Sequence, residues 1–132
     1  DAILALNNHL IDLNDSNHPI VWENTQILSD LTDTWLAAYV LTSDTTGSTQ
    51  GSSGFNTTTG IYQIDINVKS GKGWLLLHEL ADRLQKGFEI GTQLEHKGTL
   101  VDIKNTSRSG IRKDINYSRC SITIVWKTYT NR

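Results

Sequence analysis

The stretch His78 to Asp82, HELAD, opens like the helix of a zinc protease, in which two histidines four positions apart share one face. The position four residues after His78 holds Asp82 instead. A zinc site needs at least three converging ligands, and His9, His18 and His96 are scattered over separate segments, so no metal is expected. Ser70 to Trp74, SGKGW, lies where a phosphate-binding loop would sit, between a strand pattern and a helix pattern. That loop requires a Gly five positions before its second Gly and a Ser or Thr after its Lys, and Ile66 and Gly73 occupy those places. The segment therefore reads as a glycine turn leading into a helix. Cys120 is the single cysteine, which excludes an internal disulfide and a multi-cysteine metal site. At the start of an inward strand face it reads as a small buried thiol. Serines are many, but no G-x-S-x-G elbow selects one as a nucleophile. The sequence offers no catalytic constellation, and neither a catalytic residue nor a cofactor is assigned.

What remains is charge. Lys104, Arg108, Arg112 and Lys113 fall in one polar stretch, KNTSRSGIRKDINYS, where they could contact phosphates. The stretch has no interleaved aromatic residue before Tyr117, and the chain carries a net charge of −2, which favours a solvated loop over a nucleic-acid site. The balance along the chain is uneven. Eight acidic residues and no Lys or Arg occur up to Val68, whereas twelve basic and six acidic residues follow. Either the halves neutralise each other within one subunit, or an acidic face of one copy meets a basic face of the next, which would steer a head-to-tail interface.

These residues need a frame. Ile3, Leu6, Leu10 and Leu13 are spaced as the apolar stripe of a helix from about Ala2 to Leu13. Pro19 and its polar neighbours end it. A short extended segment follows at Ile20 to Trp22, and TWLAAYVLT reads as a strand apolar on both sides or nearly so. In GIYQIDINVK, Tyr62, Ile64, Ile66 and Val68 alternate with Gln63, Asp65 and Asn67, giving one buried and one wet face. Ser70 is a candidate N-cap for a helix whose stripe is Leu77, Leu80, Ala81, Leu84 and Phe88. TLVDIKN forms a short strand, and CSITIVWKTY a longer one with Cys120, Ile122, Ile124 and Trp126 inward. The expected architecture is α+β, an antiparallel or mixed sheet of four to five strands with two helices packed on one face.

Length and composition suit one domain spanning residues 1–132, with 37% hydrophobic residues to fill a core. Neither a secretory signal nor an apolar run of membrane-spanning length is visible, so a soluble intracellular protein is expected. The anomaly is Thr42 to Gly60, TSDTTGSTQGSSGFNTTTG, which reads as a long structureless hairpin loop. Loops of that length are uncommon in compact domains unless they become ordered against a partner.

Taken together, the N-terminal helix, IVWEN, TWLAAYVL, GIYQIDINVKSGKG and LADRLQKGF resemble the tail terminators of long-tailed bacteriophages. Glu23 stands where that family more often has Pro. The resemblance covers nearly the whole chain. It implies a structural virion protein and not an enzyme, closing as a hexameric ring on the tail tube, arresting tube growth and offering a head-tail joining surface. Its partners would be further copies of the chain, the tail tube protein and the head-tail connector, with DNA only as passing cargo and no membrane. Its location would be the head-tail junction of the virion, after assembly in the bacterial cytoplasm. On that reading the candidate interface residues are Asp30, Asp33 and Asp44 on the acidic side, Gly47, Gly51, Gly54 and Phe55 in the long loop, and Lys104, Arg108, Arg112 and Lys113 on the basic side. The alternative within the same virion is another connector or tail-tube ring protein.

Overall fold

The computed structural model describes residues 2–14, 18–23, 34–47, 55–69, 74–113 and 116–131. Its elements, in chain order, are α1 (Ala2–Asn14), β1 (Ile20–Trp22), β2 (Thr34–Gly47), β3 (Phe55–Lys69), α2 (Leu75–Gly87), β4 (Gln93–His96), β5 (Thr99–Arg108), β6 (Arg112–Lys113) and β7 (Tyr117–Asn131). The strands form one seven-stranded mixed sheet in the order β1-β2-β3-β7-β5-β4, with β6 also paired to β7. Among the described residues only β1 and β2 run parallel; every other pair is antiparallel. The fold is thus α+β as expected, but the sheet has more strands than the four to five that periodicity reveals.

The additional strands have physical reasons for escaping a reading by period. β4 pairs with β5 through a two-residue turn, Lys97 and Gly98, both with positive φ, as the tight hairpin of this hand requires. β6 is two residues long and continues the edge that β5 forms along β7. The greatest departure is the loop expected from Thr42 to Gly60. Residues 42–47 pair with residues 56–61, from Thr42↔Ile61 to Gly47↔Asn56, and residues 55–59 pair in turn with β7. A run of threonines suits an extended backbone because its branched side chains pack on a pleated surface, yet a ribbon polar on both faces shows no alternation to reveal it. The same misreading affects the basic stretch, most of which is the end of β5, β6 and the start of β7.

One face of the sheet carries the core. Leu36 and Ala38 of β2, Tyr62, Ile64, Ile66 and Val68 of β3, Cys120, Ile122, Ile124 and Trp126 of β7, Val101 and Ile103 of β5 and Leu94 of β4 are all buried there. Both helices supply the other half, α1 with Ala5, Leu6 and Leu10, and α2 with Leu77, Ala81 and Leu84. Each fully buried Leu or Ile is worth roughly 1.5–3 kcal/mol. The α1 stripe is rotated from the one expected: Ala5 is buried, whereas Ile3 is 40% exposed. On α2 the stripe holds at Leu77, Ala81, Leu84 and Phe88, but Leu80 is only partly buried, and β2 buries Leu36 and Ala38 while Trp35, Ala37 and Tyr39 are half-buried. The proposed cap Ser70 lies outside the described residues; α2 begins at Leu75 after Trp74, which makes no side-chain cap.

Polar bonds lock the helices to this frame. The Tyr62 hydroxyl donates to Asn7 Oδ1 at 2.6 Å, and burial raises the pKa of its phenol. His9 Nε2 donates to the carbonyl of Gly87 at 2.7 Å while its ring meets Phe88 edge-on, with centroids 4.8 Å apart. A methyl at Gly87 would collide with the Leu13 side chain, so a glycine there sets the closeness of the two helices.

Two outcomes test this packing. Leu84→Ala should destabilise by about 2–5 kcal/mol and Leu80→Ala by less, measured by denaturant midpoints, because only Leu84 is fully enclosed. The second concerns His18, whose pKa is lowered from 6.5, first by burial and then by Arg83. Below 6.5 the unfolded chain takes up that proton before the folded one does, so the stability linked to His18 is complete above 6.5 and declines as pH falls through it. Denaturation of the protein and of His18→Gln, compared from neutral to mildly acidic pH, should show a shallower decline in the variant.

Candidate functional site

The face opposite the helices is organised around a carboxylate. Gln63, Asp65 and Asn67 alternate with the core residues of β3 and were expected to be wet. Instead Asp65 is 8% exposed and Asn67 fully buried. Pairing places Asp65 between Ala37 and Ser121, and Asn67 between Trp35 and Arg119. Directly paired residues share a face and lie close enough to interact.

The carboxylate of Asp65 is well satisfied. Asp65 Oδ1 accepts from Ser121 Oγ at 2.6 Å and from Gln63 Nε2 at 2.9 Å, while Oδ2 accepts from the Tyr39 hydroxyl at 2.9 Å. Gln63 Nε2 also reaches Tyr39 Oη at 2.7 Å. The Tyr39 phenol is pushed up to about 12, first by burial and then by its bond to Asp65. Arg112 donates to Ser121 Oγ at 2.6 Å, and Arg119 Nε donates to Asn67 Oδ1 at 2.7 Å. Ser109 closes the end of the network, its hydroxyl accepting the Ser121 amide at 3.0 Å and its carbonyl accepting the Cys120 thiol at 3.3 Å. Burial pushes that thiol up, so Cys120 is a core residue and not an activated nucleophile.

The basic residues therefore part company. Arg112, Lys113 and Arg119, with Tyr117, line a cleft beside this network. Arg108 pairs with Ile122 on the core side of the sheet and forms an ion pair with Asp82 of α2 at 2.7 Å. Lys104 is exposed and stands at the register shift between Ile103 and Asn105. The four cations read from one polar stretch are thus not one patch: Arg112 and Lys113 line the cleft, and Arg108 is already engaged. Of the other candidates, Asp44 and Gly47 lie in the backbone of β2, paired with Thr59 and Asn56, and Phe55 begins β3 opposite Asn131. Asp30, Asp33, Gly51 and Gly54 lie outside the described residues. Arg119, Tyr39 and Asp65 escaped a reading of motifs, since only cross-strand register brings them together.

What this arrangement offers is a rigid polar surface with cations at its end, suited to holding an anion or a protein face. Among the described residues no three His, Cys, Asp or Glu side chains converge on a metal position. Asp65→Asn should destabilise by about 1–3 kcal/mol, because three donors are left to share one acceptor oxygen where the carboxylate offers two. Adding Tyr39→Phe removes one of those donors, so Tyr39→Phe should cost less in the Asp65→Asn background than alone. Urea denaturation of the four proteins measures the coupling.

The comparisons agree with the architecture. A family model described as phage tail terminator protein matches residues 2–126. No curated protein matches. One solved structure superposes with a TM-score of 0.78 at 20% identity, over 97% of this chain and 94% of the other, a likeness that shows the fold. With the match running from the first residues of α1 almost to the end of β7, the chain belongs to the phage tail terminator protein family, a family of structural components of the phage tail.

Proposed function

We propose that copies of this chain close head-to-tail into a hexameric ring on the end of the tail tube, stop its growth and provide the surface to which the head connector docks. The match to the terminator family over residues 2–126 carries this reading. Two features of the chain give it a physical route. The paired arm formed by β2, β3 and β7 ends in strand segments rich in Thr, Ser and Asn, residue types suited to wet contact with a neighbouring subunit or the tube. The basic cleft of Arg112, Lys113 and Arg119 belongs to the half of the chain that holds every Lys and Arg, and the first half supplies eight acidic residues. DNA passes through such a ring as cargo and needs no base-reading site.

Charge pairs at the rim of an interface are screened over about 8 Å at physiological ionic strength, so ring closure should weaken as salt rises while the fold responds much less. Reversing Arg112 and Lys113 together to Glu should slow or abolish closure and leave the subunit folded, since both side chains are exposed. Reversing Asp30 and Asp33 to Lys in the same chain should restore part of it. Circular dichroism reports the fold, and electron microscopy of assembled tails reports the ring: overlong tails mark a terminator that cannot close. Tails of normal length from the Arg112 and Lys113 reversal, indifferent to salt, would place the interface elsewhere on the subunit.

A further inference from the structure

A single row crosses four strands on the face opposite the helices. Arg112 of β6 pairs with Arg119 of β7, Arg119 with Asn67 of β3, and Asn67 with Trp35 of β2. Because directly paired residues point to the same side, these four side chains stand in line. At one end are cations, and at the other are two donors with no partner among the described residues: Asn67 Nδ2 and Trp35 Nε1 are both buried and without a hydrogen-bond partner there. The amide cannot be turned to remove the problem. Arg119 Nε donates to Asn67 Oδ1 at 2.7 Å, which fixes the oxygen toward the guanidinium and leaves the NH2 group unpaired. Nor can the indole swing freely, because the Trp35 ring meets Tyr117 edge-on at 6.1 Å between centroids.

Buried donors are ordinarily paired, so two orphans in one row, beside a cleft lined by Arg112, Lys113, Tyr117 and Arg119, point to an acceptor that arrives from outside. The only carboxylate among the described residues of this network, Asp65, is already occupied by Ser121, Gln63 and Tyr39. We propose that the Trp35 and Asn67 end of this row receives a carboxylate from an acidic side chain of a second copy of this chain, with Arg119 and Arg112 adding positive charge along the row. Planar donors suit a carboxylate: guanidinium, amide and indole each direct an N–H in the plane of the group, and a charged acceptor strengthens every bond made to it. The second copy is favoured because the first half of the chain carries seven acidic residues besides Asp65, with no Lys or Arg among them to compete. The occupant rests on the ring reading above; the cradle does not.

The test follows the indole N–H of Trp35 and the side-chain amide of Asn67 by nitrogen-edited NMR in the full chain, with Trp35→Phe identifying the indole signal. Acetate added at constant ionic strength should move both resonances together and to saturation, leaving the indole of exposed Trp74 in place. Arg112→Gln should weaken that response. Self-association by sedimentation should be about tenfold weaker in Trp35→Phe, the effect of losing one charge-assisted hydrogen bond while the aromatic contact with Tyr117 stays. Resonances that ignore acetate, with association unchanged in Trp35→Phe, would remove the site while rings of the unaltered chain still upheld the terminator reading. A response to inorganic phosphate or duplex DNA but not to acetate would overturn the carboxylate in favour of nucleic acid. A saturating acetate response in a chain that never self-associates would overturn the second copy as occupant, and with it the ring.

Discussion

Everything in this fold hangs on the pairing of β3 with β7, unbroken from Phe55↔Asn131 to Lys69↔Tyr117. These strands are central in the sheet, each bonded on both edges, and they decide two surfaces at once. In this register Tyr62, Ile64 and Ile66 face Ile124, Ile122 and Cys120 beneath the helices, while Gln63, Asp65 and Asn67 face Thr123, Ser121 and Arg119 on the other side. A slip of one residue in β3 would bury Asp65 beneath the helices and turn Ile64 outward, so no intermediate register is tolerable. The pairing also joins residues far apart in sequence, so the chain must close a long loop before its core can form.

The polar face is as constrained as the apolar one. A carboxylate at 8% exposure is costly unless its lone pairs are used, and three donors from three different strands use those of Asp65. Each of these donors is supplied at a position that pairing dictates, and Arg112 extends the chain of bonds to the sheet edge through Ser121. The cleft at that edge is therefore held by the same register that packs the core, which is why the cations of β6 and of the start of β7 can form a defined surface.

How much of this could be read in advance follows from where each signal is local. The extent of α1 and the inward residues of β3 and β7 are written in residue periods because each of those segments meets the core on one face, while β1 is marked only by Pro19 before it. The start of α2, the β4–β5 turn and the Thr-rich arm are not, since a Lys-Gly turn is a weak signal and a ribbon polar on both sides has no period. The site suffered most. Arg108 and Arg112 are four residues apart in the sequence, yet Arg108 turns to Asp82 beside the helices and Arg112 to Ser121 on the opposite face. Charge counting along the chain merges them; only the break between β5 and β6 separates them.

The arm has its own cause in the sheet. Register shifts interrupt β2 between Val40 and Thr42 and β5 between Ile103 and Asn105, and the two shifts flank a single row of the central pair, Ile61↔Val125. Each inserts one residue, Leu41 on one side and Lys104 on the other, and both of these are exposed. A bulge bends its strand and sharpens the twist, so bulges on both flanking strands at the same level place a bend across the sheet at that row. On one side of the bend lie most of the core residues and the Asp65 network; on the other the sheet runs on into strand segments whose Thr, Ser and Asn residues have less apolar surface to bury. The change from Tyr-Ile-Val alternation to a Thr-rich run at Gly60 coincides with this row: past it Trp126 of β7 and Val101 and Ile103 of β5 carry the core, so β2 and β3 there need β-compatible side chains but few hydrophobic ones.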